Sequence, residues 1–254
     1  MLKINFGITQ RADITRDQFW DRWHIGHAQI ARELADVIGM RRYIQSLSVH
    51  PEVSEVFAKE RGAPGPFSGY AEAWYDSVEG MNEAMKSAAG VAAFERFLAD
   101  ELNFLDVARC VFTFTEEYPI IKLPPEKDVP GTMIKVLFGI RKRADLSHEE
   151  FWRRWHVGHA ALAREVAGAI GMRKYIQSLG VHPEMSAVFA KERGAPPPFD
   201  GVAEAWFDSY ESLQASMKTP EGADGFKRLL DDERNFLDVS QCVFTLAKEH
   251  PIIA

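Results

Sequence analysis

Cysteine is scarce in this chain: only two of the 254 residues are cysteines, Cys110 and Cys242. Two cysteines cannot build the disulfide framework typical of a small secreted domain. Long apolar segments are missing too, because no run approaches the roughly 18 residues that a membrane-spanning helix needs. The N-terminal residues alternate polar and apolar side chains and lack the apolar segment of a signal peptide. We therefore expect a cytoplasmic protein.

An excess of positive charge is also absent. The chain has 30 lysines and arginines against 37 aspartates and glutamates, which gives a formal net charge of −7. Such a protein lacks a global electrostatic attraction to nucleic acid, and an anionic membrane repels it on average. Its hydrophobic fraction of 46% and charged fraction of 26% are typical of a globular protein. We expect partners other than nucleic acids and membranes.

Several motifs that carry familiar chemistry are missing. The sequence has no glycine-rich phosphate loop, no dinucleotide-binding fingerprint, no nucleophile elbow and no C-x-x-C pair. No set of glutamates and histidines has the spacing of a metal site. We therefore predict neither a cofactor nor a metal.

The sequence does contain an internal repeat. The segment FWDRWHIGHAQIARE, which starts at Phe19, recurs as FWRRWHVGHAALARE from Phe151. No insertion or deletion interrupts the alignment of the two copies, and roughly six positions in ten are identical. We predict two domains, residues 1–120 and 133–254, joined by a proline-rich linker at residues 121–132. Two like domains in one chain favour a covalent pseudo-dimer.

Hydrophobic periodicity predicts the order β-α-β-β-α-β in each repeat. In the first repeat the predicted strands are residues 3–9, 40–49, 70–76 and 107–115, one helix follows Thr15, and a two-part helix broken near Gly90 covers residues 78–101. This order is that of the ferredoxin-like unit. The predicted fold class is α+β, with two ferredoxin-like βαββαβ repeats packed sheet to sheet as an intrachain α+β barrel pseudo-dimer.

Histidines on the first helix of each repeat are the leading candidates for chemistry. The inward stripe of this helix is expected at Phe19, Trp23, Ile30 and Leu34. His27 falls within this face, and His159 is its copy. Because the ordinary pKa of imidazole is near neutrality, each can act as a general acid or base. A core histidine bonded to a carbonyl is the alternative, and the pattern leaves both open.

A glutamate in the middle of an apolar strand is the second candidate. Glu72 and its copy Glu204 each lie between two alanines. Burial of such a carboxylate raises its pKa and makes it available for proton transfer. An ion pair across the sheet with Lys3 or Arg41 is the alternative interpretation.

Other repeated polar residues suggest a binding site. Tyr43 and Gln45 share one face of the second strand. His50 opens the long connection at residues 50–69, which we expect to act as a lid at the mouth of a pocket. The acidic segment that begins at Asp100 reads as a structural turn.

The motifs F-W-x-x-W-H-x-x-H-A, R-x-Y-x-Q-S, G-x-A-E-x-W-x-D-S and D-E-x-x-F-x-D, in this order, resemble the EthD-domain family of the dimeric α+β barrel superfamily. Single-domain members of that family form dimers, so this chain resembles two such domains fused. The resemblance implies relatives that decarboxylate or dehydrate polyketides. It also implies more distant isomerases, cyclases, cofactor-free monooxygenases and haem-binding enzymes. In these proteins the ligand usually lies between the sheet and its helices, on the side that His27 faces.

Our first hypothesis is a cofactor-independent lyase or isomerase that acts on a small hydrophobic, aromatic or lactone-like metabolite. The catalytic residues would be His27, His159, Glu72 and Glu204. The substrate-binding residues would be Tyr43, Tyr175, His50, His182, Gln45, Gln177, Trp23, Trp155, Trp74 and Trp206. Because both repeats keep every candidate, we expect two similar sites.

Two alternatives stay open. One is a non-catalytic binding or accessory protein for a hydrophobic metabolite or a partner oxygenase. The other is a haem protein with His27 or His159 as the axial ligand. Further homo-oligomerisation beyond the intrachain pseudo-dimer also stays open.

Overall fold

The two repeats contribute four strands each to a single closed barrel, in a computed structural model that describes residues 1–254. The strands are β1 (Leu2–Ile8), β2 (Met40–Ser48), β3 (Gly69–Tyr75), β4 (Val111–Ile121), β5 (Ile134–Ile140), β6 (Met172–Gly180), β7 (Gly201–Phe207) and β8 (Val243–Ile253). They follow one another around the barrel in the order β1-β3-β2-β8-β5-β7-β6-β4, and every neighbouring pair is antiparallel. The α+β barrel of two βαββαβ repeats is confirmed.

Helices cover the outside of the barrel. In the first repeat they are α1 (Arg16–Asp21), α2 (Ala28–Ile38), α3 (Pro51–Arg61), α4 (Val78–Lys86) and α5 (Ala88–Glu101). In the second they are α6 (His148–Arg153), α7 (Ala160–Ile170), α8 (Pro183–Arg193), α9 (Tyr210–Met217) and α10 (Pro220–Glu233). None of them combines the length and the apolar character that a crossing of the bilayer requires.

The repeats join where the last strand of one meets the second strand of the other. The first half of β4 pairs with β1 of its own repeat, up to Thr115 opposite Lys3. The second half crosses over and pairs with β6, for example Tyr118 opposite Gln177. The prediction that this strand ends at residue 115 is therefore wrong, since β4 continues to Ile121. The additional residues pair only with the other repeat, so the pattern within one repeat does not indicate them. Closure of the barrel leaves no open sheet edge.

Alternation along the strands separates an outer face from the barrel interior. In β1, Ile4 and Phe6 face the helices and belong to the outer apolar core, whereas the buried Lys3 faces inward. Phe67 and Phe199 fill one end of the barrel interior. Their rings lie over Gly7 and Gly139, where a Cβ atom would come within 2.5 and 2.4 Å of them. Glycine is therefore required at both positions.

The first long helix of each repeat is interrupted by a π turn, at Arg22–His27 and Arg154–His159. Gln45 Nε2 donates a hydrogen bond of 2.8 Å to the carbonyl oxygen of Trp23 inside this turn. The wider turn rotates the residues that follow it. The buried stripe of α2 consequently runs through Ala28, Ala31, Ala35 and Ile38. Ile30 and Leu34, predicted to lie on the inward stripe, are only half-buried.

The two-part helix breaks at Ser87, three residues before the predicted position. The Ser87 hydroxyl accepts a hydrogen bond of 2.9 Å from the amide of Gly90 and begins α5. Gly90 is needed for a different reason, because a Cβ atom there would lie 1.9 Å from the carbonyl oxygen of Ala84.

Candidate functional site

An apolar cavity lies between the outer face of the sheet and the helices in each repeat. The first has a volume of about 100 Å³, and 19 of its 22 lining residues are hydrophobic, so little space and little polarity remain in it. The second has about 310 Å³ and 16 hydrophobic residues out of 21. Pockets for small ligands usually measure about 300–1,000 Å³. Only the second cavity reaches that range, so the two sites are less similar than the sequence suggests.

The predicted histidines line these cavities. His27 lies in the wall of the first, and His159 in the wall of the second. Nδ1 of His27 donates a hydrogen bond of 2.9 Å to the Asp100 carboxylate, and Nδ1 of His159 donates one of 2.8 Å to Asp232. A carboxylate in this place fixes the imidazole tautomer. In the neutral form of His27, the ring nitrogen that remains without a proton is then Nε2.

Burial governs the charge of His27. Loss of solvent is the largest cause, and the neighbouring positive charge of Arg22 is the second, and together they lower the pKa of His27 to about 3. The ring is therefore neutral at physiological pH. A neutral imidazole has one nitrogen that can accept a proton, so it can act as a base, whereas its N–H donates hydrogen bonds but is too weak an acid to release its proton near neutral pH.

The two aspartates differ in their surroundings. The Arg22 guanidinium forms an ion pair with Asp100, which is 3% exposed. In the second repeat Arg154 instead binds the Glu150 carboxylate at 2.7 Å, and Asp232 is 33% exposed. The position equivalent to Glu150 is Gln18, whose side chain accepts from the Thr15 amide. Glu150 thus binds Arg154, which therefore does not pair with Asp232, the partner of His159.

Tyr43 and Tyr175 supply a neutral hydroxyl to each cavity. The Tyr43 oxygen accepts hydrogen bonds from Trp23 Nε1 at 3.2 Å and Gln45 Nε2 at 3.5 Å. Burial raises the pKa of Tyr43 to about 12 and also raises the pKa of Tyr175. Because both neighbours are donors, the tyrosine's own proton is free for a ligand.

The glutamines and tryptophans predicted to contact substrate take different places. Gln45 and Gln177 line neither cavity. Their side-chain amides donate hydrogen bonds to the tyrosine hydroxyl and to a carbonyl oxygen of the π turn. Trp23 lines the first cavity, but Trp155 does not line the second. Trp155 Nε1 donates to Tyr175 at 3.2 Å, as Trp23 Nε1 does to Tyr43.

The structure places Glu72 and Glu204 in the barrel interior, on the opposite face of the sheet from the histidines. Lys3 contacts Glu72 at 3.0 Å and Glu204 at 2.6 Å, and Lys135 contacts them at 2.5 and 2.7 Å. This ring matches the ion-pair alternative with Lys3. We therefore leave both glutamates out of the proposed catalytic set.

Trp74 and Trp206 share that interior. Their Nε1 atoms donate to Glu117 at 3.1 Å and Glu249 at 3.2 Å. They border a polar cavity of about 230 Å³ that the linker covers, where Asp128 binds Lys174 at 2.7 Å. The tryptophans are therefore not part of either apolar wall.

His50 and His182 directly precede helices α3 and α8. They do not lie at the mouth of either apolar cavity. Both adopt a left-handed backbone conformation, with φ of 47° and 49°. The His50 ring stacks on Tyr210 at 3.8 Å, and neither histidine lines a cavity.

Two glutamates of the acidic segments, which the sequence predicts to be structural, belong to the cavities. Glu101 lines the first and Glu233 the second, and burial raises the pKa of both. With Asp100, Glu101 lies in the segment that we read as a structural turn. Glu101 is the last residue of α5, the helix that packs against α2. This position is the signal that could have identified Glu101 as a cavity residue.

The residues of these cavities form no metal-binding cluster, because no group of three or more His, Cys, Asp or Glu side chains is arranged around a common point. The two histidines proposed as axial haem ligands are each held through Nδ1 by an aspartate. We derive no haem chemistry for His27 or His159.

Comparisons with known proteins agree with this architecture. The EthD domain model matches residues 11–108 and 143–240. An anthrone oxidase-like protein superimposes with a TM-score of 0.59 at 10% identity, covering 99% of this chain and 92% of that one. A candidate chlorite dismutase gives 0.51 at 11% identity, with coverages of 99% and 95%. Identities this low show the fold alone.

A single-domain relative matches one repeat. It is an EthD-family protein from Bacillus halodurans C-125, with 24% identity and a TM-score of 0.31, and the match covers 46% of this chain and 96% of that one. Among curated proteins no significant match is found.

Proposed function

The chain belongs to the EthD-domain family, and on that premise we propose that it is a cofactor-independent enzyme that transfers a proton on a small apolar molecule. The observation that carries the proposal is the hydrogen bond from His159 Nδ1 to Asp232 beside an apolar cavity of about 310 Å³. Asp232 orients the ring, and Nε2 acts as the general base.

The tyrosine completes this mechanism. When a proton leaves a carbon next to a carbonyl group, negative charge develops on the carbonyl oxygen. The Tyr175 hydroxyl, held by Trp155 at 3.2 Å, donates a hydrogen bond to that oxygen. A positioned neutral donor in an apolar site stabilises such charge strongly.

We place turnover in the second cavity. The first has about 100 Å³, below the usual size of a ligand pocket. In addition, a pKa of about 3 makes His27 a weak base, because general bases work best when their pKa is near the working pH. The first repeat then serves to complete the barrel and to supply helix α3 to the wall of the second cavity.

Proton abstraction from carbon is the first step of isomerisations, dehydrations and cyclisations of enolisable molecules, whereas in a decarboxylation the loss of CO₂ leaves the same kind of enolate, which then takes up a proton. We propose a lyase or isomerase reaction of this kind on an aromatic or lactone-like substrate. The apolar lining of the second cavity, with Phe57, Phe226 and Phe244, supports an aromatic ligand.

A second candidate is a non-catalytic binding protein for the same class of molecule. The observation that favours it is the apolar lining of the second cavity, in which 16 of 21 residues are hydrophobic, because burial of an apolar ligand there requires no chemical step.

One experiment separates the two candidates. The protein is incubated in D₂O with a panel of apolar enolisable ketones and lactones, with 2-tetralone as the first member. Binding is followed by tryptophan fluorescence, and deuterium incorporation is followed by proton NMR. An enzyme accelerates the exchange of at least one compound above the buffer rate. Binding without any accelerated exchange would support the carrier instead.

A further inference from the structure

Helices α3 and α8, which we call the lid helices, each lie on the cavity of the opposite repeat. Helix α3 of the first repeat lies on the second cavity and contributes Phe57 and Arg61 to its wall. Helix α8 of the second repeat contributes Phe189 and Arg193 to the first. Phe57 stacks on Phe244 at 4.6 Å, which anchors the first of these lids on the other repeat. Each cavity thus receives one arginine from the opposite half of the chain.

These two arginines meet their glutamates differently. Arg193 donates to Glu101 from Nε at 3.3 Å and from an outer nitrogen at 3.2 Å. Arg61 lies 3.9 Å from Glu233, too far for a hydrogen bond. Arg61 Nε and Glu233 Oε2 are buried without a hydrogen-bond partner, and the side chains are 9% and 15% exposed.

An unpaired donor beside an unpaired acceptor defines the group that fits between them. A ligand hydroxyl fits between them, because it accepts from Nε–H and donates to a carboxylate oxygen at once, and it can displace a water molecule that makes the same two hydrogen bonds. The charges of Arg61 and Glu233 already balance, so a neutral ligand leaves the buried site neutral. A ligand carboxylate would add an uncompensated buried charge.

We propose that Arg61 and Glu233 bind a hydroxyl group of a neutral, apolar ligand in the second cavity. This rests on the proposed function, in which that cavity is the substrate site. The remaining lining is apolar apart from His159, the Tyr175 hydroxyl and the exposed Lys227 and Glu60, so the pair marks a polar end of the ligand separate from the proposed reacting carbonyl. The substrate class is then an aromatic or lactone-like molecule with one hydroxyl.

The test uses three bicyclic probes of similar size: 1-naphthol, naphthalene and 1-naphthoate. Their affinities for the full-length protein are measured by tryptophan fluorescence at pH 7. We expect 1-naphthol to bind at least roughly tenfold more tightly than naphthalene, because it satisfies both buried groups. The naphthoate should bind more weakly than 1-naphthol.

Variants locate the effect. Arg61→Met and, separately, Glu233→Leu should bring the affinity for 1-naphthol down to that for naphthalene. Unchanged naphthalene binding shows that the cavity is intact in each variant. Lys227→Met, which removes another cation of the same cavity, is the matched control and should retain the preference.

Two outcomes overturn the proposal alone: equal binding of 1-naphthol and naphthalene by the wild-type protein, or a preference that survives both Arg61→Met and Glu233→Leu. Failure of all three probes to bind would instead overturn the proposed function, and the hydroxyl site with it.

Discussion

Arg193 and Glu101 come from different repeats, and their side chains form a buried ion pair at 3.2 Å. The pair joins the lid of the second repeat to the helix that supplies Asp100. Each half of the chain therefore completes the cavity of the other half. This explains physically why the two repeats act as one structural unit.

The first prediction concerns this pair. Arg193→Met leaves Glu101 as an uncompensated buried charge, and loss of one partner of a buried pair costs about 3–5 kcal/mol. Arg61→Met should cost less, because Arg61 makes no hydrogen bond to Glu233. Urea unfolding of both variants measures the difference. Equal losses of unfolding free energy in the two variants would show that the hydrogen bonds between Arg193 and Glu101 add no stability.

The second prediction concerns the ring of charges inside the barrel. Burial acts to raise the pKa of Glu204, but Lys135 and Lys3 outweigh it and hold that pKa well below its usual range. A depressed pKa stabilises the folded state above the ordinary value of about 4.3, and this stabilisation is lost as the pH falls further. Stability should thus decline below about pH 4.3.

Glu204→Gln tests the origin of that decline. The variant should be less stable at pH 7, because the two lysines lose a partner, by about 3 kcal/mol or more. It should also lose part of the slope below about pH 4.3, since one titrating carboxylate is gone. Unfolding curves between pH 3 and pH 8 measure both effects. An unchanged acid slope would assign the decline to other carboxylates.

The third prediction concerns Arg22. Its positive charge adds to burial in lowering the pKa of His27 to about 3. Arg22→Gln removes that charge and should raise the pKa, although burial keeps it below the ordinary value of about 6.5. Histidine resonances followed by NMR titration give the value. A pKa that stays the same would mean that burial acts alone.

The fourth prediction concerns the residue that distinguishes the two sites. Glu150→Gln releases Arg154, which should then pair with Asp232 as Arg22 pairs with Asp100. The reciprocal change, Gln18→Glu, should draw Arg22 away from Asp100. Crystal structures of both variants show the positions of the arginines. If Arg154 and Arg22 keep their present partners in these variants, the difference between Glu150 and Gln18 does not determine how the arginines pair.

Much of the fold could be predicted from the sequence. The alternating pattern at the start of the chain and the capping box at Thr15 are local signals, and the strand and the capping box that they predict are both present in the structure. The helical wheel correctly placed His27 with Trp23. It misplaced the later stripe at Ile30, because a π turn held by a side chain from another strand cannot be recognised from spacing.

The site was harder to predict, because its partners are distant in sequence. Asp100 meets His27 only when α5 packs beside α2. Glu72 shares a face with Trp74, as alternation indicates, but only closure of the barrel turns that face inward. The exchange of lids is hidden for another reason: two similar repeats give no sequence signal for which cavity Arg61 enters.

The central claim is that His159 is the base in the second cavity. Its most direct test is the rate of deuterium exchange into the panel compound that exchanges fastest, compared between His159→Gln and His27→Gln. We predict that His159→Gln lowers the rate by roughly 10²–10⁴-fold, the usual contribution of a general base, and that His27→Gln keeps most of it. Wild-type exchange in His159→Gln, or its loss in His27→Gln alone, would contradict the account.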